Sequence, residues 1–157
     1  VVGPLISEAH RDRVESRVAR ALGEGATIVL GGGRPEDQPR GWFMNPTVIG
    51  NVGNDSELAR NEIFGPVSVL LTYKDVDEAV AIANDSPLGL AAHVYGDLEE
   101  AKAVAERLQA GTVTINGGGP LRVDGVMRGW KHSGIGAELG EEGLREFLEA
   151  KFIQWPV

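Results

Sequence analysis

"VSVLLTYKDVDEAVAIANDSPLGLAAHVYGDLEEAKAVAERLQAGTVTIN", Val67–Asn116, switches repeatedly between the two periods of regular structure. Val67–Tyr73 is a β-branched and apolar run of strand length. Asp75 and Glu78 then form a capping-box pair ahead of the apolar stretch "AVAIAND". "LAAHVYG" reads as a second strand, and Asp97 with Glu100 repeats the capping box. Ala101, Val104, Ala105 and Leu108 follow at helical spacing, and Gly111 closes that helix. "TVTIN", Thr112–Asn116, is a β-branched strand of the buried kind. Strand, helix, strand, helix and strand in this order predict an α/β fold. Its core is a mainly parallel twisted sheet with helices on both faces and right-handed crossovers.

On the N-terminal side, Val14, Val18, Ala21 and Leu22 predict a helix over Ser7–Leu22, with Ser7 as its cap. "ATIVL", Ala26–Leu30, reads as a short buried strand, and "WFMNPTVI" as extended chain, since Pro46 disfavours helix at Asn45. Between them lies Gly31-Gly32-Gly33-Arg34. A phosphate cradle needs backbone donors at a helix N-terminus, and Pro35 with the acidic loop after it opens no helix. This cluster reads as a turn. "GIGAELG" has the wrong spacing for a dinucleotide fingerprint, and no P-loop is present. The segment Gly117–Gly136 is too rich in glycine for regular structure, and it follows a strand end, where open α/β sheets place ligand crevices. Glu141–Ala150 fits a helix with Leu144, Phe147 and Leu148 inward, and "KFIQWPV" a terminal strand. No repeat or linker divides the chain.

Composition narrows the function. A length of 157 residues suits one domain with a core of its own. The net charge of −8, with cations dispersed, gives no electrostatic support to nucleic-acid or membrane binding. Nothing resembles a signal peptide or a membrane span, which points to the cytoplasm. There is no cysteine, so neither a thiolate nucleophile nor a thiolate metal ligand exists among these residues. His10, His93 and His132 lack metal-ligand spacing, so no metal is expected.

Five blocks in order, "GPLIS", "NEIFGPV", "ANDSPLGLAAHVY", "LQAGTVTIN" and "RGWKHSGIGAELGEEGL", resemble the C-terminal portion of the NAD(P)-dependent aldehyde dehydrogenase superfamily. The resemblance runs from Gly3 to about Ile153. It implies oxidation of an aldehyde to a carboxylic acid with NAD or NADP. It also implies that Glu62 hydrogen-bonds the ribose hydroxyls beside the nicotinamide, with Phe64 packed near that ring. Without the resemblance, Glu62 reads as an exposed helix-end charge and Phe64 as a core residue. The loop after Asn116 resembles the one lining the family's aldehyde entrance, so Asn116, Gly119, Leu121 and Met127 are implied substrate contacts. Here the usual Pro-Phe-Gly-Gly-Tyr-Lys is replaced by Val126-Met127-Arg128-Gly129-Trp130-Lys131, which exchanges an aromatic wall for a softer thioether. Glu138 matches a carboxylate that some members use in a buried proton relay; as a plain residue it reads equally as a helix N-terminal charge.

The family's nucleophilic cysteine, its water-activating glutamate and its cofactor domain normally lie upstream of the first block. Residues 1–150 are therefore expected to be part of a catalytic domain, and 151–157 the terminal strand of an oligomerisation region. On this reading the chain is a fragment, inactive alone and functional in a complete homo-oligomeric enzyme. The alternative is a stand-alone assembly or binding module derived from a truncated member, pairing through its terminal strand. A segment cut from a larger sheet is expected to expose strand edges and apolar surface.

Overall fold

Ser7 is extended, and its hydroxyl accepts from the His10 amide at 3.2 Å, which starts helix α1 (Glu8–Gly23) where the sequence signals it. The computed structural model describes residues 2–117 and 122–156. Two of the residues singled out above, Gly119 and Leu121, lie outside the described residues. The chain divides into two compact units, Val1–Tyr73 and Lys74–Val157, although no composition shift marks a linker between them.

In the N-terminal unit, α1 lies with β1 (Thr27–Leu30), β2 (Thr47–Gly50), the one-turn helix α2 (Glu57–Arg60) and β3 (Val67–Val69). The three strands form one sheet in the order β1-β2-β3, antiparallel in the first pair and parallel in the second. Val14, Val18 and Ala21 of α1 meet Met44, Ile49 and Leu58 in the core, and Ile49 is fully buried. The glycine cluster, expected to be a turn, is irregular chain with a bend at Gly33, and it opens no helix. Gly31, Gly32 and Gly33 all have positive φ, the Gly32 amide donates to Thr47 Oγ1 at 3.0 Å, and Asn45 Nδ2 donates to the Gly32 carbonyl at 3.0 Å. The expected buried strand at Ala26–Leu30 is corrected: β1 forms, but all four of its residues are exposed. A strand apolar on both faces needs cover on both, and this chain gives β1 only an edge partner in β2.

One charged side chain is buried here. Arg11 lies against the ring of Trp42, 5.3 Å from its centroid, ringed by Glu8, Asp12 and Glu15 at 3.4 to 3.9 Å. Glu15 also accepts a bidentate pair from Arg34, both at 2.6 Å. Those hydrogen bonds, with the nearby cations, hold the Glu15 carboxyl below its ordinary range. Its folded value lies below its unfolded value, so the pair stabilises the fold at neutral pH. That contribution fades as pH falls below the ordinary carboxylate value of 4.5. The expected result is that wild type and Arg34→Ala differ in urea stability near neutrality and converge towards about pH 3. A gap that stays constant across the titration would show that the carboxylate does not carry it.

In the C-terminal unit, α3 (Val76–Asn84) and α4 (Leu98–Ala105) start at the two expected caps. Asp75 accepts from the Glu78 amide at 2.9 Å, and Asp97 from the Glu99 and Glu100 amides at 3.0 and 3.3 Å. β5 (Ala91–Val94) and β6 (Thr112–Ile115) pair in parallel, α4 packs on both, and Ala101 is buried. β4 (Leu88–Gly89) and β7 (Trp130–Lys131) form a short antiparallel pair. The architecture is α/β with a parallel strand pair in each unit, as the alternation implied, but among the described residues the strands fall into three small sheets instead of one. α5 (Gly140–Arg145) is shorter than the expected helix. Leu144, Phe147 and Leu148, expected inward, are 62%, 87% and 65% exposed. Residues 151–156 pair with no described strand, and Phe152, Ile153 and Trp155 are exposed. These elements carry an apolar face for which the described residues offer no partner. No helix among the described residues is long and apolar enough to cross a membrane.

Candidate functional site

In the N-terminal unit the site forms where the chain leaves α2. Ser56 Oγ caps that single turn by accepting from the Ala59 amide at 3.3 Å, and Asn61 leaves it extended. The next three residues run beside α1 and end in an abrupt bend. Phe64 adopts φ +53, a conformation that a bulky L-residue rarely takes. Gly65 follows because nothing larger fits: a Cβ there would stand 2.9 Å from both methyls of Val14. Pro66 then offers its carbonyl to the Thr47 amide at 2.8 Å, which ties the bend to β2. Between α1 and this bend lies a hollow of about 100 Å³, lined by His10, Arg13, Arg17, Glu62, Ile63 and Phe64 above Val14.

Glu62 and Phe64, singled out together in the sequence, therefore face one space. Phe64 is 73% exposed, which excludes the core reading of its ring. The Glu62 carboxylate is exposed and engaged by no described residue; only its backbone carbonyl is held, by Arg17 Nη1 at 2.7 Å. Sequence reasoning missed His10, Arg13 and Arg17. They stand at i, i+3 and i+7 on one stripe of α1, a spacing present in the sequence but used there only for its apolar positions. His10 adds an unsatisfied group, since its Nδ1 is buried without a hydrogen-bond partner among the described residues. A free carboxylate beside an exposed aromatic ring makes a set suited to a hydroxyl-bearing ligand with a flat apolar part.

In the C-terminal unit, Asn116 follows β6 with φ +51, and both ends of its side-chain amide are engaged. Nδ2 donates to the Gly96 carbonyl and Oδ1 accepts from the Gly96 amide, both at 3.0 Å. This latch joins the C-terminal ends of β5 and β6. Met127 and Glu138 are brought together by their backbones, each amide donating to the other's carbonyl at 2.7 and 2.8 Å. Met127 is 37% exposed, and Glu138, also exposed, lines an open depression of about 570 Å³. Val123, Ile135, Leu139, Leu144 and Phe147 make it largely apolar. At its edge Arg122 forms a bidentate pair with Asp124 at 2.9 and 2.5 Å, which holds that carboxyl below its ordinary range. No cluster of metal-ligating side chains occurs among the described residues.

The aldehyde dehydrogenase family model matches residues 1–153. A Staphylococcus saprophyticus protein assigned as an aldehyde dehydrogenase is 46% identical over 97% of this chain, which spans 32% of that protein. The crystal structure of aldehyde dehydrogenase C from Pseudomonas syringae, a C291A mutant with NAD+ and octanal, superposes with a TM-score of 0.88 at 44% identity. That match covers 95% of this chain and 31% of the other. Betaine aldehyde dehydrogenase from Staphylococcus aureus with NAD+ gives 0.88 at 40% identity, covering 99% and 33%. The chain belongs to the aldehyde dehydrogenase family. It spans about a third of the length of the relatives it matches.

Proposed function

We propose that these residues supply one wall of the cofactor site and one wall of the aldehyde entrance of an enzyme that oxidises an aldehyde to a carboxylic acid with NAD or NADP. The observation that carries the reading is the shared hollow of Glu62 and Phe64, with the Glu62 carboxylate free. When bound, the nicotinamide provides the acceptor for the electron pair lost by the substrate. Glu62 accepts from the two vicinal hydroxyls of the adjoining ribose, and Phe64 offers an apolar face to the ring. His10 and Arg13 add polar contacts from α1. In the C-terminal unit Met127 gives the substrate an adaptable apolar contact. The Asn116 latch fixes where the entrance loop begins. Glu138 stands at the border of the apolar depression, placed to exchange protons with water there. The thiol chemistry belongs to residues that this chain does not contain, so the 157 residues alone are inactive and the complete polypeptide is the catalyst. Its exposed C-terminal apolar side chains support assembly with further copies.

The test is Glu62→Gln in the complete polypeptide, with the isolated chain as blank. Losing the ionised acceptor costs about 1.5 kcal/mol, or roughly tenfold in NAD affinity. The isolated chain should reduce no NAD in the presence of aldehyde. Unchanged affinity in the variant, or turnover by the isolated chain, overturns the reading.

A further inference from the structure

Glu62 has no local means of holding its direction. It lies beyond the end of α2, and its carboxylate has no described partner. What ties it down comes from 45 residues away, where Arg17 Nη1 donates to the Glu62 carbonyl at 2.7 Å. The same guanidinium presents its Nε to Glu57 Oε1 on α2 at 3.8 Å, and Glu57 is also paired with Arg20. One planar fork thus holds both the start of α2 and the residue just past its end against α1. The far end of the segment is pinned differently, by the fit of Gly65 against Val14. Between the two pins stands Phe64 in left-handed backbone, a state that persists only where its surroundings over-determine it.

We infer that Arg17, although it borders the hollow, serves as a positioning residue, one that contributes to cofactor binding by aiming the Glu62 carboxylate and the Phe64 ring into that space; this rests on the reading of Glu62 and Phe64 given above. Arg17 acts through a carbonyl, so its removal leaves the Glu62 carboxylate and the Phe64 ring themselves unaltered. What is lost is their preorganisation, and that appears in cofactor affinity before it appears in turnover.

The experiment uses the complete polypeptide, with NAD as titrant and an aliphatic aldehyde for kcat. Arg17→Met should weaken NAD binding by about three- to tenfold, with kcat within about twofold. Arg17→Lys, which keeps a donor for the carbonyl but loses the fork, should recover part of the loss. Glu62→Gln is measured beside them, and the double variant Arg17→Met/Glu62→Gln should lose clearly less than the two single losses combined. If Arg17→Met lowers the melting temperature but leaves NAD affinity unchanged, the residue is structural only and the inference fails. Additive losses in the double variant overturn it too, since Arg17 would then act independently of Glu62. A silent Glu62→Gln brings down the cofactor reading and this inference together. A sensitive Glu62→Gln with a silent Arg17→Met brings down only this one.

Discussion

Alanine at position 31 removes about 3–5 kcal/mol from the stability of the N-terminal unit, whereas alanine at position 33 removes about 1 kcal/mol. Both glycines have positive φ, +75 and +67, so both variants carry the same strain of a side chain in left-handed backbone. They differ in what the new methyl meets. At Gly33 there is open space. At Gly31 the Cβ would overlap the Pro46 carbonyl oxygen and lie 2.9 Å from its carbon and 3.2 Å from Thr47 Cα. Backbone cannot rotate aside as a side chain can. Relief requires moving the first residue of β2, which anchors both the buried Thr47 hydroxyl and the parallel pairing to Val67. A loss of this size is a large part of the stability of an ordinary domain. Urea denaturation of the two variants checks it. Equal losses would mean that strain alone matters and that the approach of Pro46 is inconsequential.

The same glycines show what a sequence can disclose. Gly31–Gly33 were separable from a phosphate cradle because Pro35 opens no helix, and that argument needed only neighbours in the chain. Ser7, Asp75 and Asp97 were legible for the same reason: a cap and its helix lie within four residues of one another. Burial was less legible. Leu144, Phe147 and Leu148 have the spacing of an inward face, and β1 the composition of a buried strand, yet all are exposed. Their patterns record a cover that the described residues do not provide, in a chain spanning a third of its relatives. The pairing of Glu62 with Phe64 was legible through the family resemblance. Their companions on α1 were not, because His10, Arg13 and Arg17 approach the hollow only after the chain has returned some 45 residues later. Asn116 was assigned to substrate contact through the same resemblance. Its latch onto Gly96 depends on which strand lies beside β6, and no local pattern reveals that.

Alanine at position 111 is expected to displace the 126–131 segment that carries Met127, at a cost of about 3 kcal/mol, although Gly111 lies outside that segment. Gly111 precedes β6, and its amide donates to the Gly89 carbonyl at 3.0 Å. Its Cα lies directly under the Arg128 backbone: an added Cβ would overlap the Arg128 carbonyl oxygen and stand 2.8 Å from its carbon. No positive φ is involved, so the cost is pure crowding. Gly96 is the matching control, because it too avoids the left-handed region and a methyl there meets nothing within 4 Å. Gly96→Ala should change stability by no more than about 0.5 kcal/mol. In Gly111→Ala the 126–131 segment must lift, which loosens the β4–β7 pairing and the mutual hydrogen bonds of Met127 and Glu138. Hydrogen exchange reads this directly. The amides of Met127, Glu138 and His132, bonded to Glu138, Met127 and Pro87, should lose protection, while those of the β5–β6 pair keep most of theirs. If all of them exchange as in wild type, the close approach of Arg128 does not hold the segment. If protection is lost as expected, the position of Met127 is set by a packing contact at the foot of a neighbouring strand. The segment that bears Met127 could then be moved by a substitution outside it.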